Sequence, residues 1–244
     1  MIHTSHTNLR EKIQICLQAI IKFVCVLVFK TLFTVEVIGA DTAAAEVRAA
    51  EKAGKGMLFA SNHTNEVDGP FIRSFLPFGW FDHPMYYVAL TSEFYNKKIF
   101  DWRRYVYGGW IFKLLGAFPA YRGMKDYQAS LTNHIDLLEQ QKMVCIFPEG
   151  KINRDPDIVL EARGGIAFLA EFTDTDIIPV TIKGTQRIPW GQAFLGKRPL
   201  ITIEYKSKLN ILSLMQNARD RHIPIGADMY KDVARQVMDT VRNP

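Results

Sequence analysis

KDYQASLTNHIDLLEQQKMVCIF, residues 125–147, sets the clearest helical stretch of the chain directly against a short run with no polar residue. The first part, 125–142, closes on a lysine, as helix ends favour, and the second, 143–147, has the length and apolarity of a strand buried on both faces. The same pairing recurs in both directions. Upstream, LFTVEVIG (32–39) has strand character, TAAAEVRAAEKAG (42–54) is a helix closed by glycine, and GMLFAS (56–61) is a second short buried strand. Residues 69–78 are helical up to Pro77, MYYVAL (85–90) is a strand, 94–115 is a mixed aromatic and basic stretch, and GAFPAYRG (116–123) is strand-like with turn residues. Downstream follow a helix over 160–172, strands over 177–182 and 200–205, and an amphipathic helix over 226–242. Strands alternating with helices predict an α/β fold, a single domain with a mostly parallel central sheet flanked by helices. In IIPVTIKG (177–184), Pro179 inside a strand predicts an edge or irregular position.

A chain of 244 residues suits one such domain. Its 48% hydrophobic and 23% charged residues exclude a disordered or fibrous chain, and a mean hydropathy of -0.03 excludes a polytopic membrane protein. The net charge of +5 favours anionic partners: nucleic acid, a membrane surface or phosphate-bearing substrates. The first of these three is set aside at once, because no recognisable nucleic-acid-binding module is present. Three cysteines, Cys16, Cys25 and Cys145, are too few for a disulfide framework and suit reduced thiols facing the cytosol.

The N-terminal residues 1–31 form a separate unit ahead of the domain at 32–244. Within IQICLQAIIKFVCVLVF (13–29) only Gln14, Gln18 and Lys22 are polar, four apart, and on a helix they make one narrow stripe with Arg10 a step earlier. A spanning helix would carry Lys22 near its middle at about 2.5–3.5 kcal/mol. A signal peptide would need an uninterrupted apolar region and a small-residue cleavage site. A helix embedded in the membrane face fits better, its stripe turned toward headgroups or protein. A core helix is the remaining alternative. The location expected is therefore membrane-associated and cytosol-facing.

Sites of parallel sheets form beyond the carboxyl ends of strands. Directly after 56–61 comes SNHTNEVDGP, with His63 and, five residues on, Asp68. An imidazole can take a proton near neutral pH, and a carboxylate on its far nitrogen fixes the tautomer and stabilises the cation. No serine or cysteine nucleophile stands beside them, so the base would act on a substrate hydroxyl. The bland alternative is a loop histidine followed by an aspartate that starts the next helix. After 143–147 comes FPEGKIN, a tight turn with Lys151 and Arg154 adding positive charge. Arg122 ends the strand-like 116–123, and arginine grips phosphate bidentately. No third residue joins His63 and Asp68 at metal-like spacing, so no metal and no cofactor is expected; His134 would be structural or exposed. Phe71, Phe75, Phe78 and Trp80 are expected in the core rather than lining a groove. The segment 183–208 carries Lys183, Arg187, Lys197, Arg198, Lys206 and Lys208 against Glu204 alone, with Trp190 and Phe194 among them. Such a mixture suits a lipid interface or anionic carrier as well as a solvated loop.

Asn-His-x-x-x-x-Asp, Gly-x-Phe-x-x-x-Arg, Phe-Pro-Glu-Gly and Ile-Pro-Val occur in that order, and over roughly 33–210 the chain resembles the glycerolipid acyltransferase family typified by lysophosphatidate acyltransferase. The resemblance implies that His63 is the general base for a glycerol hydroxyl and Asp68 its partner. It implies an acyl thioester as donor, acyl-coenzyme A or acyl carrier protein, serving as co-substrate. Gly116, Phe118 and Arg122 match the block thought to hold the acceptor phosphate. Phe147, Pro148, Glu149 and Gly150, with Lys151 and Arg154 beside them, match the block that shapes the acceptor site. Ile178 and Pro179 match the block linked to the acyl donor. The acceptor implied is 1-acyl-glycerol-3-phosphate, a membrane lipid, and the product phosphatidic acid, in phospholipid biosynthesis. The family's third block commonly continues Thr-Arg, whereas Lys151, Ile152 and Asn153 stand here, similar to tafazzin-like transacylases and to the lysophospholipid acyltransferase half of bacterial acyl-carrier-protein synthetase fusions. Another lysophospholipid such as lysophosphatidylethanolamine is thus an open acceptor, and a non-catalytic lipid-binding module is the alternative from another class.

Overall fold

The structure is a computed structural model and describes residues 9–89, 113–121, 126–155 and 158–243. Eight helices and seven strands are seen among them: α1 (Leu9–Leu32), β1 (Thr34–Ile38), α2 (Ala40–Lys52), β2 (Met57–Ser61), α3 (Asp68–Ser74), β3 (Met85–Ala89), β4 (Ala117–Pro119), α4 (Tyr127–Glu139), β5 (Met143–Ile146), α5 (Gly165–Phe172), β6 (Ile177–Lys183), α6 (Trp190–Phe194), β7 (Leu200–Tyr205), α7 (Ile211–Asp220) and α8 (Ala227–Arg242). The strands form one sheet in the order β1-β7-β6-β2-β5-β3-β4. Every pairing is parallel except β6 with β7, so the fold is the mostly parallel α/β sheet that the alternation predicts.

Side chains alternate across the central strands and make two cores. Met57 and Phe59 of β2 face one core with Phe29 of α1, Phe33 just after it, Val47 of α2 and Phe71 of α3. Leu58 and Ala60 face the other with Leu131 of α4, Ile166 of α5, Met215 of α7 and Val237 of α8. Phe71, Phe75 and Phe78 are core residues, as expected, while Trp80 is exposed.

Three expectations need correcting. β6 is an interior strand, not an edge, despite Pro179. A strand residue's N–H and C=O point to the same side, and the Pro179 carbonyl accepts from the Lys206 amide. The missing N–H therefore lies where β7 has just ended, and no pairing with β2 is lost. Two helices, α6 and α7, also lie where no element was expected.

His134 is fully buried. Burial lowers its pKa to about 4, the backbone of Phe118, Tyr87 and Leu131 opposing the shift only in part. An imidazole whose folded pKa is depressed is held neutral, so the unfolded chain binds more protons below its ordinary value near 6.5. The folded state therefore loses stability as pH falls from about 6.5 toward 4, by about 3 kcal/mol if the full shift is realised. His134→Leu is expected to flatten that part of the acid-denaturation curve, as followed by circular dichroism between pH 7 and 4.

α1 is built inside out for a water-soluble chain. Gln14, Gln18 and Lys22 are buried. Gln14 donates to the Lys113 carbonyl at 2.8 Å. Gln18 donates to the Met85 and Leu115 carbonyls at 2.8 and 3.0 Å, and accepts from the Met85 amide at 3.0 Å. The Lys22 amine donates to the Leu76 and Phe78 carbonyls at 3.1 and 2.8 Å, just past the end of α3 where positive charge is favoured. The stripe thus turns to protein. Ile13, Ile20, Phe23, Val24 and Leu27 are left facing outward. By length and composition α1 is also apolar enough to cross a membrane.

Candidate active site

β2, β5, β3 and β6 run in the same direction, so Ser61, Ile146, Ala89 and Lys183 end at one edge of the sheet. Two neighbouring strands, β2 and β5, deliver the two distinctive loops to this edge side by side. Asn62 ties the first loop to β6: its amide donates to the Ile182 carbonyl at 2.8 Å and accepts from the Ile182 N–H at 2.9 Å.

Asp68 begins α3 with its side chain fully buried. Its Oδ2 accepts from the Thr64 and Asn65 amides at 2.6 and 2.7 Å, and its Oδ1 accepts from Thr185 Oγ1 at 3.1 Å. Thr64 and Thr185 hydroxyls meet at 2.7 Å, and Asn65 donates to the Thr185 carbonyl at 2.9 Å. A buried carboxylate persists when donors and a helix start satisfy it, and this one has both. His63 Nδ1 lies 3.2 Å from Asp68 Oδ2. An acceptor-only carboxylate selects the Nδ1–H tautomer, which leaves the Nε2 lone pair free. The His63 side chain is about one-fifth exposed, so solvent or substrate can reach it.

The second loop holds the first. Phe147 stacks on the His63 ring, centroids 4.0 Å apart and planes 17° from parallel. Glu149 Oε2 accepts from the His63 amide at 3.3 Å, and Asn153 donates its amide to the His63 carbonyl at 2.6 Å. Glu149 is buried and paired at 2.9 Å with Arg242 from the last turn of α8, which also donates to the Leu160 carbonyl. Gly150 adopts φ +65°, and a β-carbon there would sit 2.7 Å from Arg163 Nε, so glycine suits the turn for two reasons. The Pro148 carbonyl accepts from the Arg163 amide.

Of the residues singled out in the sequence, His63, Asp68, Phe147 and Glu149 come together. Lys151 is exposed, and Arg154 pairs with Glu66 at 2.8 Å. Ile178 and Pro179 are buried within β6 rather than beside His63. Gly116 stands at the opposite end of β4 from the site edge, packed against Gln18 and the Met85 carbonyl. Phe118 packs on Tyr86 and beneath the Arg10 guanidinium. β4 is three strands from β2, a spacing of about 14 Å. Arg122 lies outside the described residues. Among the described residues no cluster of histidine, cysteine and carboxylate side chains suits a metal ion.

Thr185, Thr64 and Arg242 were missed. Thr185 lies 117 residues from Asp68, and no local spacing links them. The only signal is topological: β2 and β6 must be neighbours before the segment after β6 can meet the segment after β2.

A family model described as Acyltransferase matches residues 35–183. Among solved structures, the chain is similar to the crystal structure of the 1-acyl-sn-glycerophosphate (LPA) acyltransferase PlsC from Thermotoga maritima. That likeness covers 96% of this chain and 84% of the other, with 17% sequence identity and a TM-score of 0.54.

Proposed function

The chain belongs to the acyltransferase family, and on that premise we propose that it transfers a fatty acyl group from an acyl thioester to the free hydroxyl of 1-acyl-glycerol-3-phosphate. The observation that carries this reading is the buried Asp68 carboxylate on His63 Nδ1, with Nε2 left free at an accessible edge. Nε2 takes the proton of the acceptor hydroxyl as its oxygen forms a bond to the thioester carbonyl carbon. The C–S bond then breaks, and the proton on Nε2 goes to the leaving thiolate of coenzyme A or acyl carrier protein. Asp68 stabilises the imidazolium formed in between. Both substrates are anionic, in keeping with the net charge of +5. The acceptor follows the similarity in motif order and the activity named for the Thermotoga maritima protein.

The acceptor is a membrane lipid, and α1 suits a membrane face. Each large apolar side chain moved from water to lipid gains about 1.5–3 kcal/mol, and α1 offers five on one side while its polar groups stay bonded to protein. With purified protein in phospholipid vesicles and oleoyl-coenzyme A, free thiol is expected to appear with lysophosphatidate. Release with lysophosphatidylethanolamine alone would keep the chemistry and change the acceptor. No release with either would refute a coenzyme A thioester as donor.

Thr185 acts in this reading as a positioning residue for Asp68. Thr185→Val removes one hydrogen bond to a carboxylate and is expected to lower kcat about tenfold, near the lower end of such bonds. Thr185→Ser should restore most of the rate. A packing role alone would instead make the isosteric valine the milder change.

A further inference from the structure

We propose that α6 and the turn after it, residues 190–198, dock into the headgroup layer of an anionic bilayer as a second membrane contact beside α1. The inference rests on the membrane reading of α1 and extends it to a segment 160 or so residues away.

α6 is held from beneath and bare on top. Ala193 is buried in the same core as Phe29 and Phe33. The Trp190 ring packs on both, at 6.0 and 5.4 Å between centroids. Phe194 and Leu195, the next residues along, are 71% and 78% exposed. Phe194 touches the Trp190 ring along one face, 6.1 Å between centroids, yet most of its surface and that of Leu195 at the tip of a short turn is left open.

The basic segment 183–208 splits into two kinds of charge. At its far end Lys206 lies near Glu204, and Lys208 pairs with Glu46 and Asp176. Lys183, Arg187, Lys197 and Arg198 are exposed, and none pairs with an acidic side chain among the described residues. The Arg198 guanidinium donates instead to the Lys30 and Phe33 carbonyls. Lys30, also exposed and without an acidic partner among the described residues, stands one turn beyond Leu27 at the end of the outward apolar stripe of α1. That clasp fixes the α6 turn at the end of the stripe, so the two apolar surfaces adjoin, with Lys30, Arg198 and its neighbour Lys197 where they meet. Apolar tips flanked by cations without acidic partners complement an anionic headgroup layer over an acyl interior. An acidic carrier protein would match the cations but has no equal use for continuity with a lipid-facing helix.

The test uses the full chain in vesicles, with Cys16→Ala and Cys25→Ala to leave only the fully buried Cys145 of the natural thiols. An environment-sensitive fluorophore is attached through Leu195→Cys, Phe23→Cys or Ile225→Cys in separate chains. Ile225 is an exposed apolar residue on the opposite layer, between α7 and α8. Nitroxide-bearing lipids are expected to quench the probes at 195 and 23 several-fold more than the probe at 225. At 195 the quenching should strengthen when phosphatidylglycerol is added to phosphatidylcholine. Adding Arg187→Glu and Lys197→Glu should bring position 195 down to the level of 225 and leave position 23 unchanged. Quenching at 23 with none at 195 would overturn this inference and leave the α1 reading standing. No quenching at either would overturn both. A change at 195 only on adding acyl carrier protein would assign the patch to the carrier and overturn the membrane contact.

Discussion

His63→Ala is expected to lower the rate of acyl transfer by about 10²–10⁴-fold, the usual contribution of a positioned general base, with KM for both substrates changed far less. The protein should remain folded. The loop around residue 63 is held by its backbone, through Glu149 and Asn153, and those bonds do not involve the ring. What is lost structurally is one partly exposed ring, its stacking on Phe147, worth about 1 kcal/mol, and its Nδ1–H bond to Asp68, whose Oδ2 keeps the Thr64 and Asn65 amides. Steady-state kinetics in vesicles, beside a thermal melt of the same sample, separates the two effects. A variant that keeps most of its rate would remove His63 from the reaction.

Asp68→Asn is the second large effect, with an expected fall in kcat of about 10²–10⁴-fold at nearly wild-type stability. Asparagine keeps the size of the side chain. Its oxygen can still accept from the Thr64 and Asn65 amides, and its NH₂ group can donate to the Thr185 hydroxyl, which rotates to accept. What asparagine lacks is the negative charge that stabilises an imidazolium on His63. Asp68→Ala is a different experiment. It would strand two buried amides and a hydroxyl, at about 1–3 kcal/mol each, so its inactivity could reflect unfolding. Comparing kcat and melting temperature for both variants isolates the charge from the scaffold. Full activity in the asparagine variant would leave Asp68 a structural residue.

The alternation of short apolar runs with helices was enough to give the sheet and its parallel character, because buried strands and amphipathic helices differ in period. The interior position of Pro179 is not readable from local rules, which see a missing donor but not which neighbour it faces. Neither α6 nor α7 shows in the pattern: α6 is a five-residue turn inside a basic segment, and α7 lies between β7 and the more obvious last helix. The pair His63 and Asp68 was legible because both residues lie on one loop, five apart. Glu149 and Phe147 were legible as a motif, though not their contacts with the His63 backbone and ring. Thr185 and Arg242 were not legible at all. Both reach the site from elements that approach it only once the sheet order and the last helix are in place. The polar stripe of α1 was visible as a stripe, while its choice of protein over headgroups depended on carbonyls at 76, 78, 85, 113 and 115 that no helical spacing encodes.

The central claim, that His63 draws a proton from an acceptor hydroxyl so that it can attack a thioester, is tested most directly by following the acyl group itself. Oleoyl-coenzyme A labelled in the oleoyl chain would be given with lysophosphatidate to wild-type and His63→Ala protein in vesicles, and the lipids separated. The label is expected in phosphatidic acid, mole for mole with free thiol, and to be nearly absent with the alanine variant. Label recovered as free oleate, or transferred equally well by the variant, would contradict it.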